Sequence, residues 1–204
     1  MGTRCILVKT TNAYDAANCL VGEVTESAPG LGLDDDLDQT IDYEYDLAGN
    51  RLSKSVDVDS DGSIDSVTTY VYDENDRLQT ESLDADNDGT VDQTTTYSYD
   101  GTQRTGKTVT SAAETLSTVT YTYDLQGRLE TADTTTFESG AADRIEHVRY
   151  DYDATGIRVS SRHQIDTEAD GSVDSDIETK YLIDHRNFTG YQQVIRKAHF
   201  AAAT

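Results

Sequence analysis

The 204-residue chain is 35% hydrophobic, with 13 Tyr against 3 Phe, no Trp and a single proline, an inventory too thin for a two-layer core and better suited to one twisted sheet with aromatics on a face. Its net charge of −23, from 39 acidic and 16 basic residues, argues against partners such as nucleic acid or anionic membranes, whose phosphates need a basic surface. No stretch approaches the roughly 20 apolar residues of a membrane-spanning helix.

In chain order, residues 1–11 read as a poorly ordered leader, with too few apolar residues before Lys9 for a signal-peptide core. Cys5 and Cys19 give neither a disulfide framework nor a metal spacing, and a bridge between them stays open. From residue 12 to 195 the chain repeats itself, which is the strongest signal it carries. An eroded copy, Tyr14-Asp15 with Cys19, comes first. Three full copies come next: Tyr43-Glu-Tyr45-Asp46 to Arg51-Leu52, Tyr70-Val-Tyr72-Asp73 to Arg77-Leu78 and Tyr97-Ser-Tyr99-Asp100 to Arg104. Two more are Tyr121-Thr-Tyr123-Asp124 to Arg128-Leu129 and Tyr150-Asp-Tyr152-Asp153 to Arg158-Val159. The last, Tyr181-Leu-Ile183-Asp184, has Ile in the second tyrosine slot, and residues 196–204 read as a tail. The Tyr-Asp step recurs after 31, 27, 27, 24, 29 and 31 residues.

One unit predicts a β-hairpin. Tyr-x-Tyr puts two rings on the same side of a strand, because side chains alternate with period two. The aspartate then opens a turn of Ala-Gly-Asn, Glu-Asn-Asp or Leu-Gln-Gly type, and the strand resumes with Arg-Leu. Helical spacing is nowhere sustained. The expected fold is therefore all-β: tandem antiparallel hairpins in one twisted or spiralling open sheet. The rings are expected to stack between neighbouring strands, and the arginine to answer the turn aspartate. Six-fold repetition is a poor setting for an active site, so no catalytic role is expected.

Between these units lie acidic clusters. Asp57, Asp59, Asp61, Ser63 and Asp65 flank Gly62; Asp84, Asp86, Asp88, Thr90 and Asp92 flank Gly89 in the same D-x-D-x-D-G-x-x-D pattern. A third copy has Asp166, Glu168, Asp170, Ser172 and Asp174 about Gly171. Calcium takes six to eight oxygens in a flexible cage. Positions 1, 3 and 5 supply carboxylates, the residue after glycine offers its carbonyl, and the acid at position 9 closes the ring. The expectation is two to three bound Ca²⁺. An Asp-Gly hairpin turn alone explains the glycines but not the crowding of acids, since two like charges 4 Å apart cost about 1 kcal/mol in water. These are not EF-hands, because position 12 is Thr68, Thr95 or Ile177 rather than a bidentate Glu. They are similar to the calcium loops of integrin-type propeller repeats. A fainter copy at Asp34, Asp36, Asp38 and Asp42 lacks the glycine.

The Tyr-x-Tyr-Asp…Arg-Leu units resemble the Rhs/YD-repeat family, and the run from Tyr181 to Val194 looks like the segment near the end of such arrays. That family includes bacterial Rhs and wall-associated toxins, insecticidal toxin-complex cocoons and teneurins. The resemblance implies a hollow β-shell that encloses a toxin or presents adhesive surfaces. Seven copies are too few to close a cocoon, and Pro29 follows Ala28, so the family's Asp-Pro self-cleavage has no residues here. The chain is thus expected to be a non-catalytic structural or interaction module, extracellular or at the cell surface. Its partners would be other YD-repeat segments, an enclosed or adjacent polypeptide, or a cell-surface ligand. The alternative is a piece of an Rhs-type toxin-encapsulating shell.

Gly101-Thr-Gln-Arg-Thr-Gly106-Lys107-Thr108 matches the phosphate-loop pattern for nucleotide binding. It falls on a repeat turn, with no helix expected after it, and reads as coincidence. His147, His163, His185 and His199 show no metal pair at helical spacing, and Asn187-Phe-Thr189 is a glycosylation sequon inside the end motif. A carboxylate pair for glycoside hydrolysis is open among so many acids.

Overall fold

The computed structural model describes residues 8–27, 38–112, 114–184 and 193–201. The chain divides into two units, Met1–Thr96 and Tyr97–Thr204. The first contains β1 (Val8–Tyr14), β2 (Leu20–Ser27), β3 (Gln39–Tyr45), β4 (Arg51–Asp57), β5 (Ser66–Tyr72) and β6 (Leu78–Asp84). The division falls inside β7 (Gln93–Asp100). The second holds β8 (Gln103–Ser111), β9 (Glu114–Tyr123), β10 (Leu129–Glu138), β11 (Ala141–Tyr152), β12 (Arg158–Asp166), β13 (Ser175–Asp184) and β14 (Gln193–Ala201). The expected architecture is the one observed: an open, all-β sheet of antiparallel hairpins whose strand order is chain order. Strand extends into the stretches read as leader and tail, since β1 begins at Val8 and β14 ends at Ala201.

The strands form because Thr, Val and Tyr suit a pleated surface. Along β3 and β5 the repeat tyrosines Tyr43, Tyr45, Tyr70 and Tyr72 are half-buried, while Glu44 and Val71 between them are exposed. Among the described residues no apolar side chain is buried; the buried positions are polar, Asp57, Thr95, Ser160, Asp166 and Thr179. Backbone ladders and cross-strand contacts, rather than a core, hold this fold.

The alternation is not uniform. The register shifts immediately before the second tyrosine slot, at Ala13/Tyr14, Glu44/Tyr45, Val71/Tyr72 and Asp151/Tyr152. Such a bulge re-aims one side chain and sharpens the local twist. Here it accompanies a contact one repeat back: Tyr45 donates to the Leu20 carbonyl at 2.8 Å and Tyr152 to that of Leu129 at 2.9 Å. Tyr123 likewise reaches the Arg104 carbonyl at 2.8 Å.

The Tyr–Asp turns share one geometry. The aspartate amide donates to the carbonyl four residues on, at 2.9 Å for Asp46, Asp73, Asp124 and Asp153 and 3.0 Å for the eroded Asp15. Its Oδ1 accepts the amides two and four residues on; for Asp73 these are Asn75 at 2.9 Å and Arg77 at 3.0 Å. The fourth turn residue is left-handed, which is why Gly49, Gly127 and Gly156 stand there (φ 91°, 76° and 88°). The copy at Asp100 differs, with β8 resuming at Gln103 after Gly101-Thr102.

The expected arginine–aspartate contact forms for Arg77 and Arg128, each four residues past its aspartate, whereas Arg104, at the same spacing in the differing turn, lies over Tyr97 and Tyr121 at 5.4 and 5.0 Å from the ring centres. Arg77 Nε and Nη2 donate to Asp73 Oδ2 at 2.7 and 2.6 Å, and Arg128 repeats this on Asp124 at 2.6 Å for both. Arg51 and Arg158 come one residue later, on the opposite side of the strand. They lie instead over Tyr43 and Tyr150, each 4.3 Å from the ring centre. Asn50 takes over the vacated role and donates to Asp46 Oδ2 at 3.0 Å.

Candidate metal centre

Each acidic cluster is the nine-residue connection of a hairpin, at the opposite end from the Tyr–Asp turns. The closing strand pairs are equivalent: Val56↔Ser66 in β4–β5, Leu83↔Gln93 in β6–β7 and Ile165↔Ser175 in β12–β13. The ninth acid's amide donates to the last strand carbonyl at 2.8 Å in all three, Asp65 to Val56, Asp92 to Leu83 and Asp174 to Ile165. Two left-handed residues then shape every loop. One is the glycine at position 6, Gly62, Gly89 or Gly171, with φ 93°, 89° and 91°. The other, at position 4, is not glycine: Ser60, Asn87 and Ala169, with φ 55°, 54° and 50°.

The carboxylates fall into distinct roles. The first acid scaffolds the loop: Asp57 accepts the amides of Asp61 (3.1 Å) and Gly62 (2.9 Å). Asp84 does the same for Asp88 (3.1 Å) and Gly89 (2.9 Å), and Asp166 for Asp170 (3.2 Å) and Gly171 (2.8 Å). Asp57 is only 4% exposed and Asp166 6%. The fifth acid accepts the amide after the glycine, so Ser63, Thr90 and Ser172 engage Asp61, Asp88 and Asp170 at 2.7, 2.7 and 2.8 Å. The ninth acid reaches across the loop base. Asp65 accepts the Val58 amide, Asp92 that of Ala85 and Asp174 that of Thr167, all at 2.7 Å. Ring closure at position 9 is thus a latch between the two loop arms. Around Asp174 the Thr167 hydroxyl and then its amide hold the carboxyl below the usual aspartate range.

In the first two loops these constraints bring three acids together. Asp57, Asp59 and Asp61 each offer an oxygen within 4.8 Å of the others, and so do Asp84, Asp86 and Asp88. Either triad could hold a metal ion. The donors are all carboxylate oxygen, which suits a hard dication, and an oxygen with one amide bond keeps acceptor capacity for it. Asp65 and Asp92 stand outside the triads. In the third loop no such triad forms among the described residues, although its left-handed positions are the same; Glu168, one methylene longer, replaces the aspartate of position 3.

Position 4 also carries contacts that the sequence pattern did not flag. Asn87 Nδ2 donates to the Ile64 carbonyl at 2.9 Å, tying the second loop to the first, and Ser60 Oγ lies 3.0 Å from Thr40 Oγ1 on β3. A polar residue on a left-handed position is the cue that was available.

Other candidates resolve differently. Asp34 and Asp36 of the faint acidic copy lie outside the described residues. Asp38 is occupied by Ser27, accepting its amide at 2.6 Å and hydroxyl at 2.7 Å, which keeps its pKa low. Cys5, Pro29, His185 and the Asn187–Thr189 sequon are also outside, and Cys19 is a free thiol. Lys107 sits in mid-strand opposite Val119 and the next element is the strand β9, so helix amides that would cradle a phosphate do not converge there. His147 and His163 lie on neighbouring strands and pair with Asp133 and Glu146, each at 2.9 Å. His163, helped by Arg144, holds Glu146 below its usual range.

No protein-family model and no curated protein matches the sequence. Among solved structures, the fold is similar to the crystal structure of TcdB2-TccC3 without its hypervariable C-terminal region. The identity is 18% and the TM-score 0.49, over 91% of this chain and 10% of that one. The chain thus spans about a tenth of that chain's length.

Proposed function

We propose that the protein is a non-catalytic structural and interaction module of the Rhs/YD-repeat type, extracellular or at the cell surface, whose acidic hairpin loops are rigidified by calcium. The observation that carries the reading is the pair of aspartate triads, Asp57-Asp59-Asp61 and Asp84-Asp86-Asp88, on loops of matching geometry at the same end of adjacent hairpins. Calcium bound by Asp57, Asp59 and Asp61 would neutralise charges that otherwise oppose loop closure, and Asp84, Asp86 and Asp88 would serve a second ion. The third loop, through Asp166, Glu168 and Asp170, is the weaker site. The repeat residues that carry the family resemblance have structural work: tyrosines between strands, aspartates in turns, and arginines on an aspartate, on a tyrosine or, for Arg128, on both.

Extracellular modules bind calcium at about 0.1–1 mM, which supports an outside location. The test is equilibrium dialysis of the full chain against calcium at millimolar concentration, with magnesium as comparison. Two ions retained, falling to none in the Asp59→Asn, Asp86→Asn double variant, supports the reading. No retained calcium sinks it.

A second reading, a stretch of an Rhs-type toxin-encapsulating shell, is favoured by the open sheet, whose strand order lets further hairpins continue it. A toxin domain encoded beside this chain, protected from protease by it, would decide for that reading.

A further inference from the structure

Each acidic loop contains an Asp–Gly peptide bond: Asp61–Gly62, Asp88–Gly89 and Asp170–Gly171. Such a step carries its own reaction, because glycine has no side chain to hinder its nitrogen. The glycine amide nitrogen attacks Cγ of the preceding aspartic acid and a new N–Cγ bond forms. The nitrogen gives up its proton, the carboxyl oxygen leaves as water, and the ring closes to a succinimide. Water then reopens the ring at either carbonyl. One opening regenerates aspartate; the other leaves isoaspartate, with a methylene added to the main chain. The water released is the water returned, and nothing else is consumed.

We propose that these three steps are latent isoaspartate sites, and that Asp57, Asp84 and Asp166 guard them as positioning residues. Ring closure needs the peptide plane to turn until the glycine nitrogen faces Cγ. The loop ties both reactants elsewhere. The glycine amide donates to the first acid, Gly62 to Asp57 Oδ2 and Gly89 to Asp84 Oδ2 at 2.9 Å, and Gly171 to Asp166 Oδ2 at 2.8 Å. The aspartate Oδ1 is turned past the glycine onto the next amide, that of Ser63, Thr90 or Ser172, at 2.7, 2.7 and 2.8 Å. Both bonds must break before nitrogen and Cγ can meet. Crowding gives no such protection, since a Cβ added at Gly62, Gly89 or Gly171 would meet nothing within 4 Å. The inference rests on loop geometry alone and is independent of the calcium reading.

The full chain is aged at neutral pH in chelator, so that the outcome does not depend on the dialysis experiment, and a second sample is aged in urea. Trypsin then places the three steps on separate peptides, bracketed by Lys54, Arg77, Arg104, Arg162 and Lys180. Isoaspartate is quantified on each; Asp100–Gly101, which shares the second peptide, is told apart by fragmentation. All three loop steps should react at least about tenfold more slowly in the folded chain than in urea, the factor set by breaking one hydrogen bond to a charged acceptor. Asp57→Asn keeps an acceptor oxygen but not its charge. It should speed the Asp61 step about fivefold, while Asp88 and Asp170 in the same molecule stay slow and report that the fold is intact. Asp166→Asn, in the other unit, should do the same at Asp170 alone. Equal rates in buffer and urea would overturn the inference. So would variants that leave their own loop unchanged, slow it (the carboxylate then promoting attack as a base), or speed all three loops together.

Discussion

At the Tyr–Asp turn, Asp73 Oδ1 gathers the amides of Asn75 and Arg77 while the Arg77 guanidinium covers Oδ2. At the other end of the same hairpin system, Asp57 gathers the amides of Asp61 and Gly62, and the charged groups beside it are Asp59 and Asp61. Both ends use an aspartate to organise backbone amides. They differ in what answers its charge. The turn carries its own cation or amide donor, Arg77, Arg128 or Asn50, and is complete as folded. The loop concentrates negative charge, which the proposed dication would answer.

The sharpest way to break the comparison is to remove the scaffold acid. Asp57→Ala takes the acceptor from the Gly62 amide and leaves the Asp61 amide only Asp59, at 3.2 Å, and should cost roughly 1–3 kcal/mol in denaturant unfolding whether or not calcium is present. Calcium itself should stabilise the chain by about 1–3 kcal/mol per occupied loop at 10 to 100 times its dissociation constant, read as a rise in Tm. Asp59→Asn with Asp86→Asn should abolish that rise while leaving the metal-free Tm near its starting value or above it, because like charges have been removed. A loss of Tm without calcium would instead mean that these acids only build the turn.

Acid titration separates the two ends again. Asp73 is held below its ordinary pKa chiefly by the Arg77 side chain, Asp46 by Asn50, and Asp124 by the Arg128 amide and then its guanidinium. A group depressed in the folded state stabilises fully above its unfolded pKa, near 4, and loses that contribution as the pH falls through its lowered folded value. Far-ultraviolet circular dichroism between pH 5 and 1 should therefore show an acid transition that Arg77→Ala makes shallower. Smaller effects sharpen the loop geometry. Gly89→Ala meets open space but a φ of 89°, so its cost, about 1 kcal/mol, would be purely conformational. Asn87→Ala removes the bond to Ile64 and should cost about 0.5–1 kcal/mol in the first unit.

The strands, the hairpin turns and the acidic clusters were legible in the amino-acid order because each rests on local chemistry: period-two tyrosines, Gly at left-handed turn positions, and carboxylates crowded about a glycine. What escaped it depends on register between strands. The bulge before Tyr45, Tyr72 and Tyr152 is invisible in Tyr-x-Tyr, and it shifts which residue of the neighbouring strand the second tyrosine stands opposite. Arg51 and Arg158, one residue further from their aspartates, lie over Tyr43 and Tyr150, and a repeat alignment reads that extra residue as a harmless insertion. Asp65, Asp92 and Asp174 have the residue type and spacing of ligands, and the sequence does not show that one oxygen of each accepts the amide of Val58, Ala85 or Thr167. Asn87 reaches a neighbouring loop that only the strand pairing brings near it.

The lack of any buried apolar side chain among the described residues sets the temperature behaviour of this protein apart from that of ordinary domains. Melting such a sheet hydrates little new hydrocarbon, so the heat-capacity increment should fall below the usual roughly 12–15 cal/mol/K per residue. A small increment flattens the dependence of stability on temperature. The fold would then respond weakly to chilling, the condition under which core-driven proteins lose their main cohesive force.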